Sequence, residues 1–366
     1  MLALTAAVVL VIGLFFAGKL LHNYWYEEFS LVDTEQVLNV PAGASLGRVI
    51  GDLHRREVLA EPRVAKLALR LFQPSLTVKA GEYRLPGRAS RAAIFELLAS
   101  GVSVHYSVTL VEGLTAREAL QIVLAALPES PPAPAPALLA QADNLLGNLL
   151  LAPAREMMAG QSNPEGWFFP DTYHFVRGES ATDILQRAHQ RMLVVLQEEW
   201  PKRQPDLPFS RPYEALIMAS IVEKETGKIE EREQIAGVFT RRLRKGMRLQ
   251  TDPTVIYGVR DSYSGNLTRV HLRRDTPYNT YTRGGLPPTP IALPGRGAIR
   301  AALNPAQGDT FYFVAKGDGS HYFSKTLEEH QRAVRKYQVL QRRSNYRSAP
   351  PPKSTPAAAN ARNGAG

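Results

Sequence analysis

An α+β fold headed by a membrane-crossing helix is what this sequence predicts, and three observations predict it. Residues 2–18 form an uncharged apolar run. Beyond residue 37, short strand-like stretches alternate with helical ones. Later in the chain a second set of helices, among them the strongly apolar stretch 216–227, is followed by a strand hairpin. At 366 residues the chain is long enough for two or three domains with cores of their own. Its 44% hydrophobic and 21% charged residues are ordinary for a globular protein.

The apolar run is carried past Lys19 by Leu20 and Leu21. At about 1.5 Å of rise per residue it spans a bilayer if the Lys19 side chain snorkels. A cleaved signal peptide is the rival; it calls for a basic start and a small-residue cleavage site, and neither is clear. Lys19 and His22 follow the run and no Lys or Arg precedes it, so the positive-inside rule leaves orientation open. Tyr24, Trp25, Tyr26 and Phe29 suit either an interfacial belt or a core.

Leu38 and Val40 lead through a turn at Pro41 and Gly43 into a helix over 45–56. Ser45 is its N-cap, and Leu46, Val49, Ile50 and Leu53 share one face. Residues 62–72 read as a second helix, 78–85 as a strand with a Gly turn, and 90–100 as a third helix closed by Gly101. Residues 102–111 alternate as a strand and 115–127 return to helix. This small module reads as a spacer or as a carbohydrate-binding or docking unit. Pro128, Pro131, Pro132, Pro134 and Pro136 then mark a linker.

Helices follow over 181–200, 216–227 and 230–245, the last with its arginines on the outer face. A Ser- or Asp-capped helix is expected over 298–303 and a strand over 310–315. A hairpin turn over 317–320 leads into His321, Tyr322 and Phe323, and a final helix runs over 327–343. His321 either reaches a site or is half-buried. The tail over 344–366 is rich in Pro, Ala, Asn and Gly and should be disordered.

Two stretches carry chemistry. The first holds Glu165, Trp167, Phe168, Phe169, Asp171 and Tyr173 within a few residues. Aromatic faces beside carboxylates suit sugar rings, and they equally suit a core corner. The second is the helix 216–227, which delivers Glu223 and Glu225 two residues apart. On a helix such positions face nearly opposite ways, so the two acids cannot share one task. Glu225 follows Val222, Ile221 and Met218, the greasier stripe. Desolvation there would raise its pKa, as a general acid near neutral pH requires. The competing reading is a surface ion pair with Lys224 or Lys228. Gln250, Thr251 and Asp252 crowd polar groups before Pro253, and Asp252 either caps a short helix or lines a cleft. Residues 278–295 are too rich in Gly and Pro for regular structure and too aromatic for a linker.

A net charge of +10 suits an acidic partner, such as an anionic membrane or polymer. No RNA-binding motif, zinc-ligand pattern or single basic helix supports nucleic acid. The absence of cysteine excludes disulfides, thiol catalysis and cysteine-ligated metal.

Together these segments resemble the endolytic murein transglycosylases of the MltG (YceG-like) family. The residues that carry the resemblance are EGWFFPDTYHF at 165–175, ASIVEKETG at 219–227, RLQTDPTVIYG at 248–258 and YNTYTRGGLPPTPIALPG at 278–295. NPA at 304–306 and FYFVAKGDGSHYFS at 311–324 add to them. The Pro-rich insert and the long tail depart from the family's pattern.

The resemblance implies a single-pass inner-membrane enzyme facing the periplasm, with peptidoglycan glycan strands as substrate. It divides the chain into a transmembrane anchor over 1–22 and a LysM-like module with its connections over 23–127. A variable segment over 128–160, a catalytic domain over 161–343 and the tail over 344–366 follow. It also implies cleavage between MurNAc and GlcNAc, with the sugar's own C6 hydroxyl as nucleophile and a 1,6-anhydro-MurNAc end as product. The family's catalytic glutamate falls on Glu225, with Glu223 as runner-up. Gln250, Asp252, Tyr278, Asn279 and Thr280 are assigned to the cleft, joined by Glu165 and Trp167. Replacing Asn279 should slow cleavage and leave folding intact. No metal or cofactor is expected. Work beside peptidoglycan synthases, in ending strand growth, is implied as well. A hydrolase using Asp252 or Glu165 as second carboxylate, and a non-enzymatic wall-binding scaffold, remain the alternatives.

Overall fold

The computed structural model describes residues 2–31, 36–41, 43–128, 146–158 and 163–340. The stretch expected to vary, 128–160, falls mostly outside these residues, and the tail 344–366 wholly so. The chain divides into two compact units, residues 1–106 with 174–179, and residues 107–173 with 180–366.

The first unit begins with α1 (Leu2–Tyr26). Its stretch Leu4–Tyr26 has a mean hydropathy of 2.3, long and apolar enough to cross a membrane. The end of α1 belongs to a core. Trp25 is fully buried and stacks on Phe95 at 5.5 Å, while the Arg91 guanidinium lies 4.1 Å from the Tyr24 ring centre. Strand β1 (Glu28–Ser30) pairs antiparallel with β4 (Arg88–Ser90), and β2 (Val37–Val40) with β3 (Gly81–Arg84), setting Leu38 opposite Tyr83. Helices α2 (Leu46–Arg55), α3 (Pro62–Phe72) and α4 (Arg91–Ser100) supply the rest. Their ends follow local chemistry. The Ser45 hydroxyl accepts from the Arg48 N–H, and Gly101 closes α4 at φ 78°, a conformation side-chain-bearing residues avoid. Val49, Ile50, Leu53, Tyr83 and Phe95 fill the core. The strand expected over 102–111 contracts to β5 (Tyr106–Thr109), which pairs with β6 (Thr172–Phe175).

The second unit is mainly helical. It holds α5 (Ala116–Ala126), α6 (Ala152–Met157), α7 (Ala181–Glu199) and α8 (Pro212–Glu225). Then come α9 (Arg232–Arg244), α10 (Asp252–Gly258), α11 (Arg269–Arg273) and α12 (Arg296–Leu303). Capping boxes at Thr115 with Glu118 and at Ser180 with Asp183 start α5 and α7. A hairpin of β7 (Tyr312–Ala315) and β8 (His321–Ser324) sets Phe313 opposite Phe323. It runs into α13 (Leu327–Val334), which continues as a π-helical stretch, Arg335–Leu340, where one α-helix was expected.

The unit is built round α8. Pro212 sits in its first turn, where a missing N–H costs nothing, and every residue from Ala215 to Val222 is buried. It packs chiefly on α12. Two expectations change here. The α9 arginines do not all face outward. Arg232 and Arg242 are buried, and Arg242 donates to the carbonyls of Leu249 and Phe311 while Arg241 donates to those of Ala306 and Thr310. Helix α12 is preceded by Gly295 and not by Ser or Asp. The Gly295 N–H donates 3.1 Å to Glu223, so another helix supplies the cap.

Candidate active site

The acid-bearing end of α8 emerges from the middle of this core. Apolar neighbours do not separate Glu223 from Glu225, because the residues before both are buried on every side. Their partners separate them. Glu223 turns toward Arg232, whose guanidinium reaches it at 2.9 Å and reaches Glu112 at 3.2 Å. Both Arg232 and Glu223 are nearly sealed from solvent. Lys224, between the acids, donates to the Gly113 carbonyl at 3.1 Å. One side of the helix end is thereby fastened by charge.

Glu225 is the last residue of α8 and faces a different set of groups. It is partly exposed, and the Thr251 hydroxyl donates a very short hydrogen bond to its Oε1. Burial pushes its carboxyl up to about 7, against the Thr251 hydrogen bond, with the Asp252 charge raising it further and Arg242 lowering it. The negative end of the α8 dipole also disfavours the ionised form. A carboxyl that holds a proton near neutrality and keeps an opening to solvent is equipped to protonate a leaving oxygen.

The wall beside Glu225 is made by residues 250–254 and 278–281. Gln250, exposed, takes φ 50°, the left-handed region, and its N–H donates to the Thr280 carbonyl at 3.2 Å. The Thr280 hydroxyl accepts from the Thr251 N–H at 3.1 Å and lies 2.8 Å from the Thr254 hydroxyl. These bonds hold Thr251 under Glu225. Asp252, exposed in the first turn of α10, accepts from the Tyr281 hydroxyl at 2.6 Å. Burial and the Asp252 charge keep the Tyr281 phenol well above its ordinary pKa, with Glu225 adding to the effect. Thus Gln250 and Thr280 adjoin Thr251, which bonds Glu225, and the Asp252 charge acts on Glu225. Thr251, Tyr281 and Arg242 join them without having been assigned to the cleft. The motif at 250–252 held a signal for Thr251, since a hydroxyl between two longer polar side chains is placed to orient one of them.

The other expected site residues are engaged in contacts of their own. Asn279 is fully buried. Its amide donates to the carbonyls of Leu272 at 3.0 Å and Arg274 at 2.7 Å, and its oxygen accepts from the Tyr281 N–H at 2.9 Å. It clasps the end of α11. Trp167 is also fully buried, stacked on Tyr213 at 5.7 Å with its indole N–H on the Met158 sulfur at 3.0 Å. No face of that ring is open. Tyr278 bonds Thr289 at 2.9 Å and lies edge-on to Tyr257 at 4.8 Å.

Glu165 is a second buried acid. It accepts from the Ala116 N–H at 2.9 Å, at the start of α5, and from the Tyr257 hydroxyl at 3.0 Å. Burial pushes it up to about 7 against those two donors. It caps a helix from outside, where Glu225 faces an opening. His321 is buried and its ring bonds Glu231 at 2.7 Å, so it holds the hairpin to the turn before α9. Among the described residues no cluster of His, Asp or Glu is placed to hold a metal ion.

The model of the YceG-like family matches residues 38–336. The chain is similar to an endolytic murein transglycosylase of Bacillus subtilis, 30% identical over 308 residues, covering 82% of this chain and 84% of that protein. It is also similar to an endolytic murein transglycosylase of Streptococcus pneumoniae R6, 33% identical over 179 residues, which span 46% of this chain and 31% of that one. A crystal structure of a yceG-like protein from Listeria monocytogenes superposes with a TM-score of 0.50 at 28% identity, covering 84% of this chain and 99% of that one. With the family pattern running through both the α8 acid and the loops that face it, this chain belongs to the YceG-like family.

Proposed function

We propose that this chain is an endolytic murein transglycosylase that cuts the MurNAc–GlcNAc bond inside peptidoglycan strands, with Glu225 as proton donor. The observation that carries the reading is the place of Glu225 at the open end of a buried helix, where burial pushes its carboxyl up to about 7. Glu225 gives its proton to the glycosidic oxygen as the bond to the anomeric carbon breaks. The C6 hydroxyl of the same MurNAc closes on that carbon, and its proton returns to the Glu225 carboxylate. The ends are a free GlcNAc hydroxyl and a 1,6-anhydro-MurNAc. One carboxyl serves because the nucleophile is already tethered to the reacting carbon, replacing a bimolecular step.

In this reading Thr251 aims the acid, Arg242 and the Tyr281–Asp252 pair shape the charge around it, and Gln250 and Thr280 fix that wall. Tyr278 and Asn279 hold the loop behind it, and Glu165 and Trp167 hold the corner. Glu223 is a fastening residue. Asp252 near Glu225 supports a hydrolytic alternative, in which it would activate water. Mass spectrometry of digested peptidoglycan separates the two: anhydro ends support cyclisation, reducing ends support hydrolysis. Parallel digests with Glu225→Gln and Glu223→Gln test the assignment, and full anhydro release by Glu225→Gln would overturn it.

The same proposal anchors the chain in the inner membrane by residues 1–22, with the rest in the periplasm beside peptidoglycan synthases. The hydropathy of α1 supports the anchor. Strand–helix–helix–strand order over β2, α2, α3 and β3 supports a LysM-like, glycan-holding role within 23–127. The residues 161–343 carry the catalytic domain.

A further inference from the structure

Helix α3 leaves one long face open. Arg63, Lys66, Leu67, Arg70 and Leu71 are all exposed, Leu67 at 51% and Leu71 at 60%. At helical spacing they fall within an arc of about 140°. The opposite face, Ala65, Ala68 and Leu69, is buried against the first unit's core. Leucines therefore form one edge of the open face and cations the rest, with no Asp or Glu between Pro62 and Phe72. A face that exposes large apolar side chains beside cations, and no acid, has the composition of a helix that lies in a membrane interface.

Its place in the fold points the same way. Phe72, at one end of α3, packs on Tyr26 at 5.6 Å and His22 at 6.0 Å. Glu61, at the other end, accepts from the Tyr24 hydroxyl at 3.4 Å. A helix of this length is roughly 16 Å long, and lying along α1 it would meet residues about eleven positions apart. Both ends instead meet residues 22–26, so α3 runs across the end of α1. Those residues lie about 5–10 Å beyond Lys19, the depth of a headgroup layer.

We propose that the open face of α3 docks on the anionic phospholipid surface from which α1 emerges. Leu67 and Leu71 enter the acyl boundary, and Arg63, Lys66 and Arg70 meet lipid phosphates. The proposal rests on α1 spanning the bilayer. It makes the first unit a membrane-lying platform, held by a surface as well as by a tether. Each cation near such a surface strengthens attachment on the order of fivefold.

The chain has no cysteine, so single Leu67→Cys, Leu71→Cys, Phe15→Cys and Val102→Cys variants of the full chain each take one spin label. Val102, 67% exposed outside α3, is the reference. The variants are placed in nanodiscs of phosphatidylcholine alone or mixed with phosphatidylglycerol, and collision with an aqueous nickel chelate is measured. The expected result is several-fold lower nickel access at 67 and 71 than at 102 in anionic discs. That shielding should vanish in zwitterionic discs and on combining Arg63→Glu, Lys66→Glu and Arg70→Glu. Labels at 67 and 71 as open as that at 102, with the Phe15 label shielded, overturn the proposal and leave the span standing. Shielding indifferent to lipid charge overturns it too. A Phe15 label open to water removes the span, and the proposal with it.

Discussion

On the proposed mechanism Glu225 works through its protonation state, so pH is its first test. As a general acid it acts while protonated, and its pKa lies at about 7. Cleavage of isolated peptidoglycan should therefore fall as pH rises through about 7. The Thr251 hydrogen bond lowers that pKa, so Thr251→Val should move the falling limb to higher pH. Glu225→Gln should cost about 10²–10⁴-fold in rate, read as anhydro-muropeptide release. Glu165 tests stability. Its folded pKa, about 7, lies above its unfolded value of 4.5. Between those values the folded chain binds more protons than the unfolded one, so Glu165 lowers stability as pH rises through that window. Denaturant melts at pH 5 and pH 8 should show that loss shrink in Glu165→Gln, by about 3 kcal/mol at most. A carboxyl ending an apolar run is visible in a string of letters, but the different partners of Glu223 and Glu225 were not, since the residues before both are buried alike. Nor were Tyr281 and Arg242 legible, because nothing local ties them to Glu225.

The helices were legible where their signals are local. Ser45, Gly101 and Thr115 cap helices where side-chain chemistry places caps. The burial of α8 was legible in its apolar density; what escaped is how its two acids differ, since burial on all faces leaves no period to read. The Arg232 bridge escaped as well, its two carboxylates lying 120 and 9 residues away. Arg232→Ala removes the cation between Glu112 and Glu223. It should destabilise the fold by about 3–5 kcal/mol, measured by denaturant midpoint. Asn279→Ala, expected from sequence to spare the fold, should instead lower stability by about 1–3 kcal/mol, because it strips the carbonyls at the end of α11 of their donor.

On the scale of the whole molecule, two cores of unequal kind share one chain. The smaller is closed by the end of α1 through Trp25, so deleting residues 1–22 should make the protein extractable from membranes by high salt while Trp25 keeps its partners. Fractionation of cells expressing the truncated chain checks this. The larger core is threaded by α8. Residues 215–222 are all buried within α8, so local opening should expose their amide protons little. Their exchange with deuterium should be among the slowest in the molecule. Heat should then silence the enzyme only when the second unit melts as a piece, so that activity and secondary structure are lost along one curve.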